Sequence, residues 1–347
     1  ATLMTAVDTL DTAVLLPYLE ANVDGFRGPM SVEKFAGGQS NPTFRIRAAS
    51  GDYVLRRQPP GKLLRSAHAV DREFRVLSAL AGSEVPVAGV YHLCEDRNVI
   101  GSLFYVMEFC EGRIFWDAAI PEVDRAERSA IYDELCRVLA ALHDVDIDAA
   151  GLADFGKPGN YFQRQFDRWS GQYRASEFER IEPMETLMAW LATNLPDDDG
   201  RIALVHGDYR LDNMIFDASA PRAIALLDWE LSTLGHPFAD VGYLCMQLRM
   251  PQQVGTMSGL RGMDLEELGI PDEAGLIRRY CELAGIDDVP NPAFYIAFSF
   301  FRLAAIIQGV ARRAASGNAS NEDAARVGTF VGPIAGLALE TIEHSRP

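Results

Sequence analysis

The stretch Leu204-Val205-His206-Gly207-Asp208-Tyr209-Arg210-Leu211-Asp212-Asn213-Met214-Ile215-Phe216, followed by Ala223-Ile224-Ala225-Leu226-Leu227-Asp228-Trp229-Glu230, constrains this chain more than any other. Its short Val/Leu/Ile runs read as strands. Each delivers acidic or amide groups at one end, Asp208 and Asn213 on one loop and Asp228 after the next strand. A carboxylate and an amide oxygen suit Mg²⁺, which keeps several waters and takes few protein ligands when phosphates supply the rest. That chemistry fits Asn213 and Asp228. Asp208 is then available to accept a hydrogen bond from a substrate hydroxyl and orient it for in-line attack on a terminal phosphate. The stretch reads as a metal-nucleotide site.

A chain of 347 residues that is 48% apolar has room for two lobes with separate cores. A formal charge of −17 with no segregated basic patch opposes binding to nucleic acid or to an anionic membrane surface. The same charge could favour cationic substrates or serve solubility alone. Five scattered cysteines, never in a C-x-x-C pair, oppose a disulfide framework and a structural zinc site, and a reducing cytoplasm fits them best. No signal peptide is expected from the amino-terminal residues. The apolar run 292–310 is interrupted by Arg302 and Gln308, which suits a buried helix better than a membrane span.

Along the chain, 8–22 has helical periodicity, and 30–35, 43–48 and 53–57 read as strands of a β-meander. The connector Gly37-Gly38-Gln39-Ser40-Asn41 allows two readings, a plain hairpin turn or a place where backbone N–H groups approach phosphate oxygens without Cβ obstruction. Arg56 ends the third strand. A helix is expected over 67–80, with Glu73 either reaching back to Arg56 or solvated on the helix face. Further strands are expected at 89–94 and 103–109, giving a small lobe of five strands and one helix over 1–108. Residues 109–113, with Gly112 as a breaker, form a hinge, and Glu108 and Cys110 at its start join the nucleotide-contact candidates. From 114 to 347 helices dominate. Asp124 caps a helix ending at His143, and an aromatic stripe of Phe162, Phe166, Trp169 and Tyr173 reads as core. Arg164, Arg168 and Arg174 flank that stripe, where they either meet an anionic substrate or are solvated.

His206-Gly207-Asp208-Tyr209-Arg210-Leu211-Asp212-Asn213 resembles the H-G-D-x-x-x-x-N catalytic loop of the aminoglycoside phosphotransferase and choline kinase family, and Leu227-Asp228-Trp229-Glu230 resembles its second metal motif. The order of glycine turn, basic strand residue, helix glutamate, hinge, catalytic loop and metal strand extends the likeness over about 30–245. The resemblance implies an α+β, bilobal protein-kinase-like fold, with a small antiparallel sheet lobe and a larger, mainly helical lobe. It implies ATP and Mg²⁺ as cofactors, with Asp208 as base, Arg210 steadying the moving phosphate and Asn213 with Asp228 on the metal. Gly37, Gly38, Gln39, Ser40, Asn41, Arg56, Glu73, Glu108 and Cys110 would then serve the nucleotide, and His206 would brace the loop. Arg56 stands where lysine is usual, and Glu230 replaces the glycine of D-F-G. Tyr53-Val54-Leu55-Arg56-Arg57, Arg168-Trp169 and Leu234-Gly235-His236-Pro237 resemble a subgroup found in long acyl-CoA dehydrogenase fusion proteins, in which arginine at that position is usual.

The resulting expectation is an ATP-dependent phosphotransferase acting on a hydroxyl of a small-molecule metabolite, hydroxyacyl compounds included, rather than on an antibiotic. The alternative is a pseudokinase that binds nucleotide as a regulatory module. A protein kinase is disfavoured because no A-P-E segment follows Asp228. His143 reads as a last-turn helix residue, Asp212 as a loop carboxylate, and Asp240 as a group tying the turn after Pro237 to the catalytic loop.

Overall fold

Short runs rich in β-branched and aromatic residues, punctuated by turn residues, pair into one sheet in the first part of the chain. The computed structural model describes residues 10–35, 41–59, 69–254, 257–315 and 328–344. It forms β1 (Met30–Lys34), β2 (Thr43–Ala48), β3 (Gly51–Arg57), β4 (Val90–Cys94) and β5 (Phe104–Glu108) in the spatial order β1-β2-β3-β5-β4, every neighbouring pair antiparallel. Because side chains alternate across a sheet, Phe44, Ile46, Tyr53, Leu55, Phe104 and Val106 share one face. They bury it against Leu15 and Leu19 of α1 (Thr12–Asn22). Arg56 and its cross-strand neighbour Tyr105 take the opposite face, where α2 (Val70–Leu80) presents Glu73.

Two compact units result, the first comprising Ala1–Arg113, Ala150–Leu152 and Ile215–Leu231 and the second Ile114–Ala149, Ala153–Met214 and Ser232–Pro347. This partition differs from the one expected at 108 and 114. Arg113 and Phe216 exchange two backbone hydrogen bonds of 2.8 Å, which tie the hairpin of β7 (Met214–Phe216) and β8 (Ala223–Leu226) to the first unit. Gly112 permits that approach, since a Cβ there would stand 2.2 Å from the Phe216 carbonyl oxygen. The helices expected over 8–22 and 67–80 are α1 and α2.

The second unit is mainly helical. Asp124 caps α3 (Arg125–His143), accepting from the Glu127 N–H at 2.9 Å. α4 (Tyr161–Ser176), α5 (Glu182–Asn194), α6 (Phe238–Arg249), α7 (Leu265–Leu268), α8 (Glu273–Ala284), α9 (Pro292–Arg313) and α10 (Val331–His344) follow, with β6 (Ala203–Val205) paired antiparallel to β9 (Thr233–Gly235). α9 is long and apolar enough to cross a membrane, and most of its surface is buried against α4, α6 and α10. Phe162 meets Phe294, Tyr295 and Phe298 of α9 at ring separations of 5.2–5.4 Å, so that part of the aromatic stripe is core.

Candidate active site

In the second unit, β6 leads directly into His206, Gly207 and Asp208. Gly207 has φ of +84°, a left-handed turn that a side chain would strain, and it releases the chain from the strand. Asp240, in the first turn of α6, accepts the N–H of His206 at 2.7 Å and of Gly207 at 2.9 Å, and its Oδ2 lies 3.3 Å from His143 Nε2. Burial opposes ionisation of Asp240, but His143, His206 and the Gly207 N–H outweigh it and hold its pKa below the ordinary value. Asp240 thus ties the turn to the loop, as read from the sequence. His143 is more than a helix end, because its Nδ1 also lies 2.8 Å from Tyr280 Oη. His206 is fully buried, and its Nδ1 accepts the Asp208 N–H at 3.2 Å.

Both carboxylate oxygens of Asp208 are engaged. Tyr243 donates its O–H to Oδ1 at 2.7 Å, and Asn213 donates its amide N–H to Oδ2 at 2.9 Å and to the Asp208 carbonyl at 2.9 Å. Arg210 Nε stands 3.4 Å from Oδ1 and its Nη2 3.5 Å from Asp212. Burial pushes the Asp208 carboxyl up, but Arg210, Tyr243, His206 and Arg302 together pull it below the usual carboxylate range. Asp208 is therefore ionised at neutral pH while part of its surface, 17% of the side chain, still faces solvent. With the Asn213 amide nitrogen turned to Asp208, the amide oxygen is the end suited to a metal. Burial raises the Asp212 pKa despite Arg210.

In the first unit, Arg56 is the centre of a buried polar cluster. Its Nε lies 2.8 Å from Glu73 Oε2, its Nη2 2.7 Å from Asp228 Oδ1, and Glu230 is 3.9 Å away. Tyr105 donates to Glu73 Oε2 at 3.0 Å and Asn41 to Oε1 at 2.8 Å. Burial pushes the Glu73 carboxyl up to about 7 against the pull of Arg56. Asp228 has φ of +66°, uncommon for a residue other than glycine and of the kind concentrated at functional positions. Trp229 closes that turn by donating its indole N–H to the Leu226 carbonyl at 2.9 Å.

The structure thus brings Asp208, Arg210 and Asn213 together in one unit, and Arg56, Glu73, Asn41 and Asp228 in the other. Gly37, Gly38, Gln39 and Ser40 lie outside the described residues. Glu108 accepts the Gly89 N–H through Oε2 at 3.1 Å, and burial, with Glu108, pushes the Cys110 thiol up to about 11, so it is not a thiolate. Two of the three flanking arginines are structural. Arg164 donates to the carbonyls of Lys157 and Pro158 at 2.5 and 3.4 Å, while Arg174 pairs with Glu177 and Glu185. Sequence reading missed Tyr243, although it sits three residues after Asp240 and so on the same helix face.

A model of the phosphotransferase enzyme family matches residues 31–281. Acyl-CoA dehydrogenase family member 10 of Mus musculus is 48% identical over 313 residues, covering 90% of this chain and 29% of the mouse protein. The chain spans less than half the length of the curated relatives it matches. A crystal structure described as an aminoglycoside phosphotransferase from Ralstonia eutropha is 47% identical, with a TM-score of 0.87 over 98% of this chain and 100% of that one. At 15% identity the likeness to aminoglycoside phosphotransferase APH(4)-Ia, solved with ADP and hygromycin B, is one of fold alone, with a TM-score of 0.59 over 93% and 97% of the two chains. The fold is therefore the α+β, protein-kinase-like one, the likeness to the kinase-like portion of acyl-CoA dehydrogenase fusions holds, and the chain belongs to the phosphotransferase enzyme family.

Proposed function

We propose that this protein transfers the terminal phosphate of ATP to a hydroxyl of a small-molecule metabolite. The observation that carries the reading is Asp208, ionised and fixed by donors on both oxygens. An oriented carboxylate of this kind accepts the proton of an alcohol as its oxygen bonds to phosphorus and the bond to the departing ADP breaks. Arg210, beside Asp208, is suited to the charge of the moving phosphate. Arg56, fixed by Glu73, is suited to nucleotide phosphate oxygens, and Gly37, Gly38, Gln39, Ser40 and Asn41 are the residues proposed to contact them. Glu108 and Cys110 frame the adenine edge. The APH(4)-Ia structure holds ADP, which supports nucleotide use here.

The residues fit a Mg²⁺ ion. Glu73, Asp228 and Glu230 gather carboxylate oxygens around the Arg56 guanidinium, the hard donors that Mg²⁺ takes. Among the described residues no group of three or more His, Cys, Asp or Glu side chains could hold a metal by itself; Mg²⁺ takes few protein ligands where phosphates supply the rest. Asn213 and Asp228 would hold the ion, which when bound neutralises charge on the phosphate oxygens. A cytoplasmic setting is consistent with five free cysteines.

The acceptor side does not suit an aminoglycoside. The side chains gathered beside Arg210 and Tyr243 are Met246, Met250 and Met257, with Asp212 as the acid among them, so few carboxylates stand there to meet ammonium groups. Hydroxylated metabolites, hydroxyacyl compounds among them, fit such a surface better than polycations. A second reading, a nucleotide-binding module with little turnover, is favoured by the Arg56 contact to Asp228, which occupies one oxygen of a proposed metal ligand. Labelled ATP incubated with a panel of hydroxylated metabolites separates them. Transfer by wild type and none by Asp208→Asn, with MgATP binding retained in both, supports the enzyme; binding without transfer to any compound supports the module.

A further inference from the structure

α9 is apolar along most of its length, and the polar groups that interrupt it fare differently. Gln308 is accounted for, donating to the Ser176 carbonyl at 2.8 Å. Arg302 is not: no carboxylate or carbonyl pairs with it among the described residues, and its Nε is buried without a hydrogen-bond partner. Its guanidinium lies 5.5 Å from the Trp169 ring centroid and 5.8 Å from that of Tyr243. Arg168 of α4 sets its own guanidinium 4.9 Å from the same indole and likewise has no ion-pair or hydrogen-bond partner among the described residues.

Two cations gathered on one ring repel each other, and burying a donor without an acceptor costs free energy that stacking on the indole offsets only in part. Burial, and then the charge of Arg302, lower the Arg168 pKa, the direction that an uncompensated pair of like charges gives. Asp208, whose carboxylate is influenced by Arg302, is already engaged by Tyr243, Asn213 and Arg210. The cluster adjoins that carboxylate through Tyr243, whose ring faces Arg302 and whose O–H is on Asp208.

We propose that Arg168 and Arg302 form an anion-binding subsite of the acceptor pocket, so that the hydroxyl compound phosphorylated here carries a carboxylate or phosphate group away from the reacting oxygen. Planar guanidinium forks match either group in a bidentate manner, and two of them repel polycationic acceptors. The word acceptor rests on the phosphotransferase reading above; the anion site does not.

Calorimetric titration of the full chain in excess MgADP tests it, with 6-hydroxyhexanoate against 6-hydroxyhexanamide as the carboxylate arm and glycerol 3-phosphate against glycerol as the phosphate arm. At least one anion is expected to bind on the order of tenfold more tightly than its neutral counterpart. Arg168→Ala and Arg302→Gln should each remove most of that preference, Arg302→Lys less of it, with MgADP affinity unchanged. Equal binding of anion and neutral analogue in both arms, or a preference unaltered in folded Arg168→Ala, overturns the subsite. Transfer from labelled ATP to neutral and anionic alcohols alike, indifferent to Arg168→Ala, overturns it while leaving the phosphotransferase intact. Arginine-dependent anion binding with no transfer to any alcohol supports the subsite and counts against the phosphotransferase.

Discussion

In the second unit every oxygen of Asp208 and Asp240 meets a donor, and both carboxyls are held below their ordinary pKa. In the first unit three carboxylates converge on the one guanidinium of Arg56, and burial drives Glu73 up to about 7. Folding meets each carboxylate of the Asp208 loop with donors, whereas the Arg56 cluster crowds several carboxyls together in a buried setting that raises the pKa of Glu73. The loop is built to be rigid before substrate arrives. The cluster is built to respond to what binds.

The largest expected effect breaks the first half of this contrast. Asp208→Asn should lower phosphate transfer by roughly 10²–10⁴-fold with nucleotide affinity unchanged, measured by single-turnover kinetics beside calorimetry; a loss confined to KM would remove Asp208 from the chemistry. Next, Asp240→Ala strips the His206 and Gly207 N–H groups of their acceptor and removes the carboxylate beside His143 Nε2, and should destabilise the fold by about 3–5 kcal/mol in denaturant titration. Glu73→Gln, in the crowded acidic cluster, should cost far less at pH 8, and a comparable loss there would erase the contrast.

The pH response sharpens it further, because the two units have opposite signs. The folded pKa of Glu73, about 7, lies above its ordinary 4.5, so its contribution to stability is full below 4.5 and lost as pH rises through about 7. Between pH 8 and 5 wild type should therefore gain stability relative to Glu73→Gln. Asp240 is depressed, so its contribution is full above the ordinary carboxylate value and lost as pH falls through the depressed one. Below about pH 4 wild type should lose stability relative to Asp240→Asn. The smallest effect is that of Tyr243→Phe. Removing one donor from Asp208 should move the acid limb of the rate profile upward while lowering the rate at neutral pH by less than about tenfold; an unmoved limb would show that Tyr243 does not hold the carboxylate ionised.

Local pattern made much of this readable. The strand periodicity of 53–57 with Arg56 near its end, the Asp124 cap and 3.6-residue period of α3, and the spacing of Asp208, Asn213 and Asp228 are all legible in the sequence. Whether Glu73 reached Arg56 or faced solvent stayed open, because helix periodicity fixes a face and not a partner; the 2.8 Å contact resolves it. The same limit hid Tyr243 behind Asp240. It also left three arginines looking alike around one aromatic stripe.

By itself the sequence determined many of the elements, the Asp124 cap and the acidic and amide groups at two strand ends, since these depend on near neighbours along the chain. Only the tertiary structure decided that 215–231 joins the first unit through Arg113, that Arg164 and Arg174 are consumed by carbonyls and glutamates, and that Arg168 is left to share the Trp169 indole with Arg302. Those outcomes depend on which distant segments pack together, and a side chain's charge is satisfied or left open only by what the fold sets beside it.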